Sequence, residues 1–312
     1  MMRLANIGLI VLAFTGLVGC DSATQPMVKE RYFDSVSTAK PLEAKYTGLG
    51  EFTVASRTFS SGEEKFPSYK IWYPAEMEQK NKAYPLVIMA NGTGVTYPRY
   101  EPIFEHLASW GFIVAGNDDE WSALGSSSAK ELDFILAQSK DPSSLFYRKV
   151  DVQKIGIAGH SQGGAGAIHA VTDFPNGSNY RVLYSASAVS LSMIESWKID
   201  KRWKYDVGKI RIPYMMVAGT GDIDAKTIAP LASLGKNFDD LTGNAIAVMA
   251  RRRGVDHGNT LDHADGYMTA WFRFLLLGDM EAKGVFSGVE PEILQNTGNW
   301  QDVKIKGEQS RP

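Results

Sequence analysis

The chain has 312 residues, with 33 Lys and Arg, 35 Asp and Glu, and one cysteine. A net charge of −2 without a long basic run gives no electrostatic footprint for a phosphate backbone, so we expect no nucleic-acid partner. One cysteine cannot close an internal disulfide, and no compact His/Cys cluster is visible, so we expect neither a disulfide nor a structural metal. The length fits two average domains or one large α/β domain.

The first twenty residues have the layout of a secretory signal peptide. Arg3 precedes a short apolar run that ends in Leu-Val-Gly-Cys at residues 17–20. This ending resembles the lipobox of bacterial lipoproteins, in which the cysteine is lipidated and becomes the mature N-terminus. We therefore predict a signal peptide over residues 1–19 and a lipid anchor on Cys20, which attaches the protein to a membrane of the bacterial cell envelope. In a Gram-negative cell, Asp21 favours, by the same resemblance, the inner membrane facing the periplasm.

The remaining chain divides into a linker, one domain and an extension. Residues 20–48 are polar, contain two prolines and lack steady apolar periodicity, which is typical of a linker that need not pack. Residues 49–283 show no change in composition and no internal repeat, so we predict one domain there. Residues 284–312, which include the strand-like Trp300–Ile305, are expected to pack on the surface of that domain.

Short apolar runs alternate with helical patterns from about residue 50. Glu51–Phe59 and Tyr69–Tyr73 are predicted to form a hairpin-like pair at a sheet edge. Further strands are predicted at Pro85–Ala90, Phe112–Ala115, Lys154–Ala158, Val182–Val189, Pro213–Ala218 and Ala245–Ala250. Helices are predicted at Tyr100–Trp110, Ala129–Gln138, Gln162–Val171, Ile228–Leu234 and Ala264–Leu277. This alternation predicts a single α/β domain with a mostly parallel central sheet and helices on both faces.

A serine lies between a predicted strand and a predicted helix. Ser161 is the central residue of Gly-His-Ser-Gln-Gly at 159–163, which has the form G-x-S-x-G. The glycines let strand and helix approach closely, and the helix N-terminus offers free N–H groups to a developing oxyanion. In this context the pattern predicts a nucleophilic serine.

The motif and the Gly-Ala-Gly that follows it resemble the nucleophile elbow of α/β-hydrolases. Within that superfamily they resemble the cutinase-like polyester hydrolases and the dienelactone hydrolase and chlorophyllase-like esterases. The resemblance covers roughly residues 50–278 and implies the chain order serine, acid, histidine. It implies a monomeric serine hydrolase of carboxylic esters that needs no metal or cofactor and acts on a small-molecule or polymeric ester substrate.

The general base is sought among five histidines, His106, His160, His169, His257 and His263. The first three lie on or before the elbow helix, where packed or rim positions are expected. The base must come from a loop at the carboxyl end of the last strand. His257 follows Ala245–Ala250 directly and is favoured, while His263, at the start of the next helix, is the alternative.

Two carboxylates compete for the role of the acid. Many α/β-hydrolases place the acid three residues after a glycine that ends the preceding strand, which favours Asp222. The Thr-Ile-Ala-Pro at 227–230 resembles the segment directly after the acid in cutinase-like enzymes, yet Lys226 precedes it, so an insertion must be assumed. Asp222 is therefore favoured and Asp224 is the alternative, and the other carboxylate is expected to cap a helix.

Two backbone donors are predicted for the oxyanion. They are the N–H groups of Gln162, directly after the nucleophile, and of Thr93, in the loop after Pro85–Ala90. Thr93 matches the Gly-aromatic loop of the cutinase-like enzymes by position only, because threonine replaces the aromatic residue. Tyr97, Trp121 and Trp197 lie on candidate loops, where they either line a substrate pocket or are structural.

Other functions remain open at this point. The same triad can cleave a thioester or a peptide, which acyl-CoA and peptide substrates would distinguish from p-nitrophenyl esters. A non-catalytic, tethered binding protein with an α/β-hydrolase-like domain is an alternative from a different class. A nicotinamide enzyme is set aside, because the chain lacks a G-x-G-x-x-G fingerprint.

Overall fold

The computed structural model describes residues 28–307, which form one nine-stranded sheet with helices packed around it. The strands are β1 Val54–Ser60, β2 Ser68–Pro74, β3 Tyr84–Ala90, β4 Ile113–Asn117, β5 Val150–His160, β6 Tyr180–Ala186, β7 Tyr214–Gly219, β8 Ala247–Arg252 and β9 Trp300–Lys306. The sheet order is β1, β2, β4, β3, β5, β6, β7, β8, β9. The strands from β4 to β8 in this order pair in parallel, and the pairs β1–β2, β2–β4 and β8–β9 are antiparallel.

Helices cover both faces of this sheet. They are α1 Pro41–Thr47, α2 Glu101–Ser109, α3 Ser126–Gln138, α4 Gln162–Thr172, α5 Leu191–Ser196, α6 Leu231–Asp240, α7 Thr260–His263, α8 Asp265–Leu277, α9 Met280–Lys283 and α10 Glu292–Gln295. Every residue of β3 is buried, and its side chains alternate between two hydrophobic cores. Val87 joins the core that contains α2 and α8 residues, and Ile88 joins the core that contains α3, α4 and α6 residues. A strand buried on both faces explains its continuous apolar sequence.

The predicted fold class is confirmed, and so are the predicted hairpin at one edge and the parallel centre of the sheet. One predicted helix, Ile228–Leu234, differs from the structure. A π-helix covers Asp224–Ile228, and α6 begins only after Pro230. Proline lacks the N–H that would continue a helix, and it is well suited to starting a new one.

The N-terminal segment corrects the predicted linker. The side chains of Tyr32 and Tyr46 are 3% and 0% exposed, and both belong to a hydrophobic core. The Tyr32 hydroxyl donates a hydrogen bond to Asp265 at the start of α8. Residues 28–48 are therefore packed on the domain. The predicted signal peptide and Cys20 lie outside the described residues, and between residues 28 and 307 no helix is long and apolar enough to cross a membrane.

The C-terminal segment supplies the last strand of the sheet. β9 pairs antiparallel with β8, and Trp300 is 1% exposed. Residues 300–306 are therefore built into the sheet, whereas residues 284–299, which include α10, lead up to this strand.

Candidate active site

Ser161 occupies the sharp turn between β5 and α4. Its backbone has φ 59° and ψ −126°, a conformation that costs a residue with a Cβ about 1–3 kcal/mol. Hydrogen bonds hold it there, because its N–H donates to the Ala186 carbonyl at 2.9 Å and its carbonyl accepts from the Gly164 N–H at 2.9 Å. A Cβ at Gly159 would lie 2.0 Å from the Gly163 carbonyl oxygen, so the glycine is required for the close approach.

His257 connects Ser161 to a buried carboxylate. The distance from His257 Nε2 to Ser161 Oγ is 3.0 Å, and the distance from His257 Nδ1 to Asp224 Oδ1 is 2.8 Å. The side chains of Asp224 and His257 are 0% and 15% exposed. A nucleophile within hydrogen-bond distance of a base, which is itself oriented by a third group, is the geometry that activates a serine.

The favoured acid, Asp222, does not lie in this arrangement. Its side chain is 80% exposed and forms an ion pair with Lys226 at 2.8 Å. The carboxylate against the imidazole belongs to Asp224, the alternative. The second oxygen of Asp224 accepts hydrogen bonds from Ser187 Oγ at 2.5 Å, the Gly219 N–H at 2.7 Å and Thr260 Oγ1 at 3.0 Å.

A π-helix separates the carboxylate that contacts His257 from the Thr-Ile-Ala-Pro segment at 227–230. The Ala229 N–H donates to the Asp224 carbonyl at 3.0 Å, a hydrogen bond that spans five residues. π-helical turns are rare, and they are frequent at functional sites. Within this turn, Ala225 and Lys226 separate Asp224 from the Thr-Ile-Ala-Pro segment. The place of this turn was not determined by sequence, because apolar periodicity does not register a single π-helical turn.

Hydrogen bonding keeps Asp224 ionised. Burial alone raises the pKa of this carboxyl, but hydrogen bonds from His257, Ser187 and the Gly219 N–H outweigh burial and lower the pKa from 3.8 to about 2. The negative charge therefore faces the imidazole across the whole neutral range. The arrangement favours the tautomer with the proton on Nδ1, which leaves Nε2 free to accept the serine proton.

Asp256 contacts the loops of both Asp224 and His257, and no sequence motif predicted these contacts. Its Oδ1 accepts hydrogen bonds from the backbone N–H groups of Asp224 at 3.0 Å and His257 at 2.9 Å, and its Oδ2 accepts from the Ile223 N–H at 3.2 Å. One carboxylate therefore joins the acid loop to the base loop. A Cβ at Gly221 would lie 2.4 Å from the Asp256 Cβ, so the glycine makes room for this bridge. The only signal in the sequence was the acidic residue directly before the base.

His263, the alternative base, and two of the histidines that were not favoured contact carboxylates other than Asp224. His263 Nδ1 lies 2.8 Å from Asp262 Oδ1, and His169 Nδ1 lies 2.6 Å from Asp173 Oδ2. His106 is fully buried against Asp265. His160 is buried beside the base, where its ring lies 4.8 Å from that of His257.

The loop after β3 runs beside the serine. A Cβ at Gly92 would lie 3.5 Å from the Ser161 Cβ, which places the next residue, Thr93, at the site. Gln162 is the first residue of α4, and N–H groups in the first turn of a helix have no partner within the helix. The two predicted oxyanion donors thus come from segments that adjoin Ser161, and their role stays a prediction.

Two of the three candidate aromatic residues are exposed. Trp121 is 54% and Trp197 is 43% exposed. Trp121 directly follows Glu120, whose carbonyl accepts a hydrogen bond from Gln162 Nε2 at 2.6 Å, and Trp197 follows α5. Tyr97 instead packs edge-on against Trp72, with ring centroids 5.7 Å apart. Of these three aromatic residues, the two tryptophans therefore present the most apolar surface to solvent.

Comparison with known proteins identifies the family of the chain. A family model described as PET hydrolase-like matches residues 36–283. The chain belongs to this family. The predicted α/β-hydrolase fold and its cutinase-like resemblance are thus confirmed.

Individual relatives share about a quarter of their residues with the matched part of this chain. The chain is 26% identical over 207 residues to "Cutinase est1" of Thermobifida alba, covering 64% of this chain and 60% of that protein. It is 26% identical over 205 residues to "Bis(hydroxyethyl) terephthalate hydrolase" of Streptomyces coelicolor, covering 64% and 58%. It is 27% identical over 195 residues to "Cutinase 1" of Thermobifida cellulosilytica, covering 61% and 64%. The chain thus spans less than two thirds of the length of these relatives.

Proposed function

We propose that the protein is a hydrolase of carboxylic esters that acts through Ser161, His257 and Asp224. The supporting observation is the continuous series of hydrogen bonds from a strained, nearly buried serine hydroxyl through the imidazole to an ionised carboxylate. Membership of the PET hydrolase-like family supports an ester as the substrate, as do relatives named cutinase and terephthalate ester hydrolase.

The proposed reaction follows from the chemistry of these groups. His257 Nε2 takes the Ser161 proton as the oxygen attacks the ester carbonyl, and it then returns the proton to the leaving alkoxide. Asp224 holds the imidazole orientation and stabilises the imidazolium. The N–H groups of Gln162 and Thr93 stabilise the oxyanion. Water activated by His257 then releases the acid from the acyl-enzyme.

The position of the exposed tryptophans favours a bulky or aromatic ester. Indole side chains at Trp121, next to the segment that contacts Gln162, and at Trp197, at the end of α5, offer flat apolar contacts that are already exposed. We expect Trp121→Ala and Trp197→Ala to raise KM for bis(hydroxyethyl) terephthalate several-fold. The same variants should leave hydrolysis of p-nitrophenyl acetate, a smaller ester, near the wild-type rate. Equal losses on both esters would contradict this assignment.

The decisive test of the function compares residues 21–312 with the Ser161→Ala variant. The parent is expected to hydrolyse p-nitrophenyl butyrate and to be labelled by a fluorophosphonate, and the variant is expected to do neither. A folded parent that shows neither reaction would refute the hydrolase and favour a binding protein. Faster turnover of an acyl-CoA or a peptide would instead assign the triad to thioesters or amides.

We also propose that Cys20 carries a lipid that attaches the enzyme to the bacterial cell envelope. The support is the Leu-Val-Gly-Cys sequence at residues 17–20 after an apolar run. Expression of the full chain with a radiolabelled fatty acid is expected to label the parent and not Cys20→Ser. Equal labelling of both, or release of the parent into the soluble fraction, would refute the anchor.

A further inference from the structure

His160 directly precedes Ser161 in the chain. It takes no part in the hydrogen bonds that connect Ser161, His257 and Asp224. Its Nδ1 lies 3.0 Å from Tyr100 Oη, and its Nε2 lies 3.0 Å from the His257 carbonyl oxygen. Tyr100 Oη also accepts a hydrogen bond from the Gly92 N–H at 3.1 Å. One side chain on the elbow thus connects the loop after β3 with the loop that holds the base.

The chemistry of the end groups fixes the direction of these hydrogen bonds. The His257 carbonyl can only accept, so His160 Nε2 must carry a proton. In a neutral ring Nδ1 then has no proton, so it accepts a hydrogen bond from the Tyr100 hydroxyl. The Tyr100 oxygen in turn accepts from the Gly92 N–H, which can only donate. A protonated ring could not accept from Tyr100.

The surroundings of His160 maintain that neutral form. His160 and Tyr100 are each 2% exposed. Burial, with the neighbouring His257 as the second cause, lowers the pKa of His160 to about 3. The two imidazoles stack with centroids 4.8 Å apart and an interplanar angle of 29°. When His257 becomes an imidazolium during the reaction, it therefore faces an uncharged ring rather than a second cation.

We propose that His160 is a positioning residue, which holds the backbone of the base loop and the backbone of the oxyanion loop in register on either side of Ser161. The proposal rests on the hydrolase function proposed above. The proton acceptor and one oxyanion donor act on the same tetrahedral centre, so both must be correctly placed at the same moment. A direct link between their loops sets that relation without contacting the substrate.

The first test removes a single hydroxyl. Tyr100→Phe keeps the ring and its packing but breaks the link between Gly92 and His160. The matched control is Tyr46→Phe, because Tyr46 is also buried and loses a hydroxyl that donates to Asp279 at 3.0 Å, far along the chain from the loops at Ser161. We expect Tyr100→Phe to lower kcat for p-nitrophenyl butyrate about 10- to 100-fold with KM changed less than about 2-fold. Tyr46→Phe should lower only the melting temperature.

The second test separates the two halves of the link. His160→Phe removes both hydrogen bonds while it keeps a flat ring against His257. His160→Asn offers an acceptor near the Nδ1 position, and His160→Gln offers a donor near the Nε2 position. We expect kcat in the order parent, then Asn or Gln, then Phe. Combining Tyr100→Phe with His160→Phe should add little further loss, because both changes break one chain of contacts.

The outcomes distinguish this proposal from the proposed function. If Tyr100→Phe and His160→Phe lower the melting temperature but keep the parent kcat per site titrated with fluorophosphonate, the positioning role is refuted and the hydrolase stands. The role is also refuted if the two changes are fully additive. A parent that is not labelled by the fluorophosphonate refutes the hydrolase itself, and the positioning role with it.

Discussion

Replacing Asp224 with asparagine tests which carboxylate serves the triad. An ionised carboxylate can only accept, so it holds the proton on His257 Nδ1. An amide nitrogen directed at Nδ1 would favour the other tautomer, in which Nε2 carries the proton and cannot accept one from Ser161. In serine triads this substitution lowers kcat by about 10⁴-fold while the geometry is retained. We expect a loss of that order for Asp224→Asn with p-nitrophenyl butyrate.

The same substitution has a calculable effect on stability. The pKa of Asp224 is lowered from 3.8 to about 2, so the folded state favours the ionised form. This difference contributes about 2 kcal/mol of stability, which is present above pH 3.8 and is lost as the pH falls through about 2. Urea unfolding at pH 7 should therefore show Asp224→Asn destabilised by about 2 kcal/mol. The difference in the free energy of unfolding between parent and variant should disappear at acidic pH.

Asp222→Asn is the matched control two residues earlier. Its side chain is 80% exposed in a surface ion pair, and such pairs contribute little to stability. We expect its kcat to stay within about 2-fold of the parent, because Asp222 forms no contact that orients His257. If Asp222→Asn loses activity while Asp224→Asn retains it, the assignment of the acid to Asp224 is wrong.

Further substitutions test the contacts between the loops of the site and the packing of the domain. Asp256→Ala removes the acceptor shared by the acid and base loops and should lower kcat about 100-fold, measured beside the melting temperature; an unchanged kcat would show that other contacts hold the loops. Glu131 is fully buried and burial raises its pKa from 4.5 to about 8, so parent stability should fall by roughly 5 kcal/mol between those pH values. Glu131→Gln, unfolded in urea at pH 5 and 9, should lose that dependence, and a parallel fall in both proteins would refute the cause. Gly163→Ala places a Cβ 2.2 Å from the Ala90 carbonyl oxygen and should destabilise by about 1–3 kcal/mol or more. Its control, Gly235→Ala, meets nothing within 4 Å in a helix interior and should stabilise by about 0.5–1 kcal/mol; equal effects would contradict the steric argument.

The parts of the site that sequence predicted are those encoded locally. Ser161 lies in a five-residue motif between a strand and a helix, and both elements have their own periodicity. His257 follows from the rule that functional groups gather at the carboxyl ends of parallel strands. Neither prediction depends on contacts between side chains that are distant in sequence.

The errors arose where contacts between distant segments decide. Asp222 and Asp224 are two residues apart, and contacts with Ser187 and Thr260, more than 30 residues away in sequence, accompany the contact of Asp224 with the imidazole. Residues 20–48 were predicted as a linker because they are polar and lack steady apolar periodicity. Tyr32 and Tyr46 nevertheless fill separate positions in a core made by α2 and α8, and a single well-placed aromatic ring needs no repeat to be buried.

Side chains outside the triad set the relation between its members. Ser161, Asp224 and His257 follow three different strands, β5, β7 and β8, so the sheet alone fixes the starts of their loops and not the loops themselves. Asp256 joins the acid loop to the base loop through backbone N–H groups, and His160 joins the base loop to the loop after β3. A displacement of about 1 Å in such a constellation can cost about 100-fold in rate. The rate of the proposed hydrolase should therefore respond to changes at Asp256 and His160 that leave Ser161, Asp224 and His257 intact.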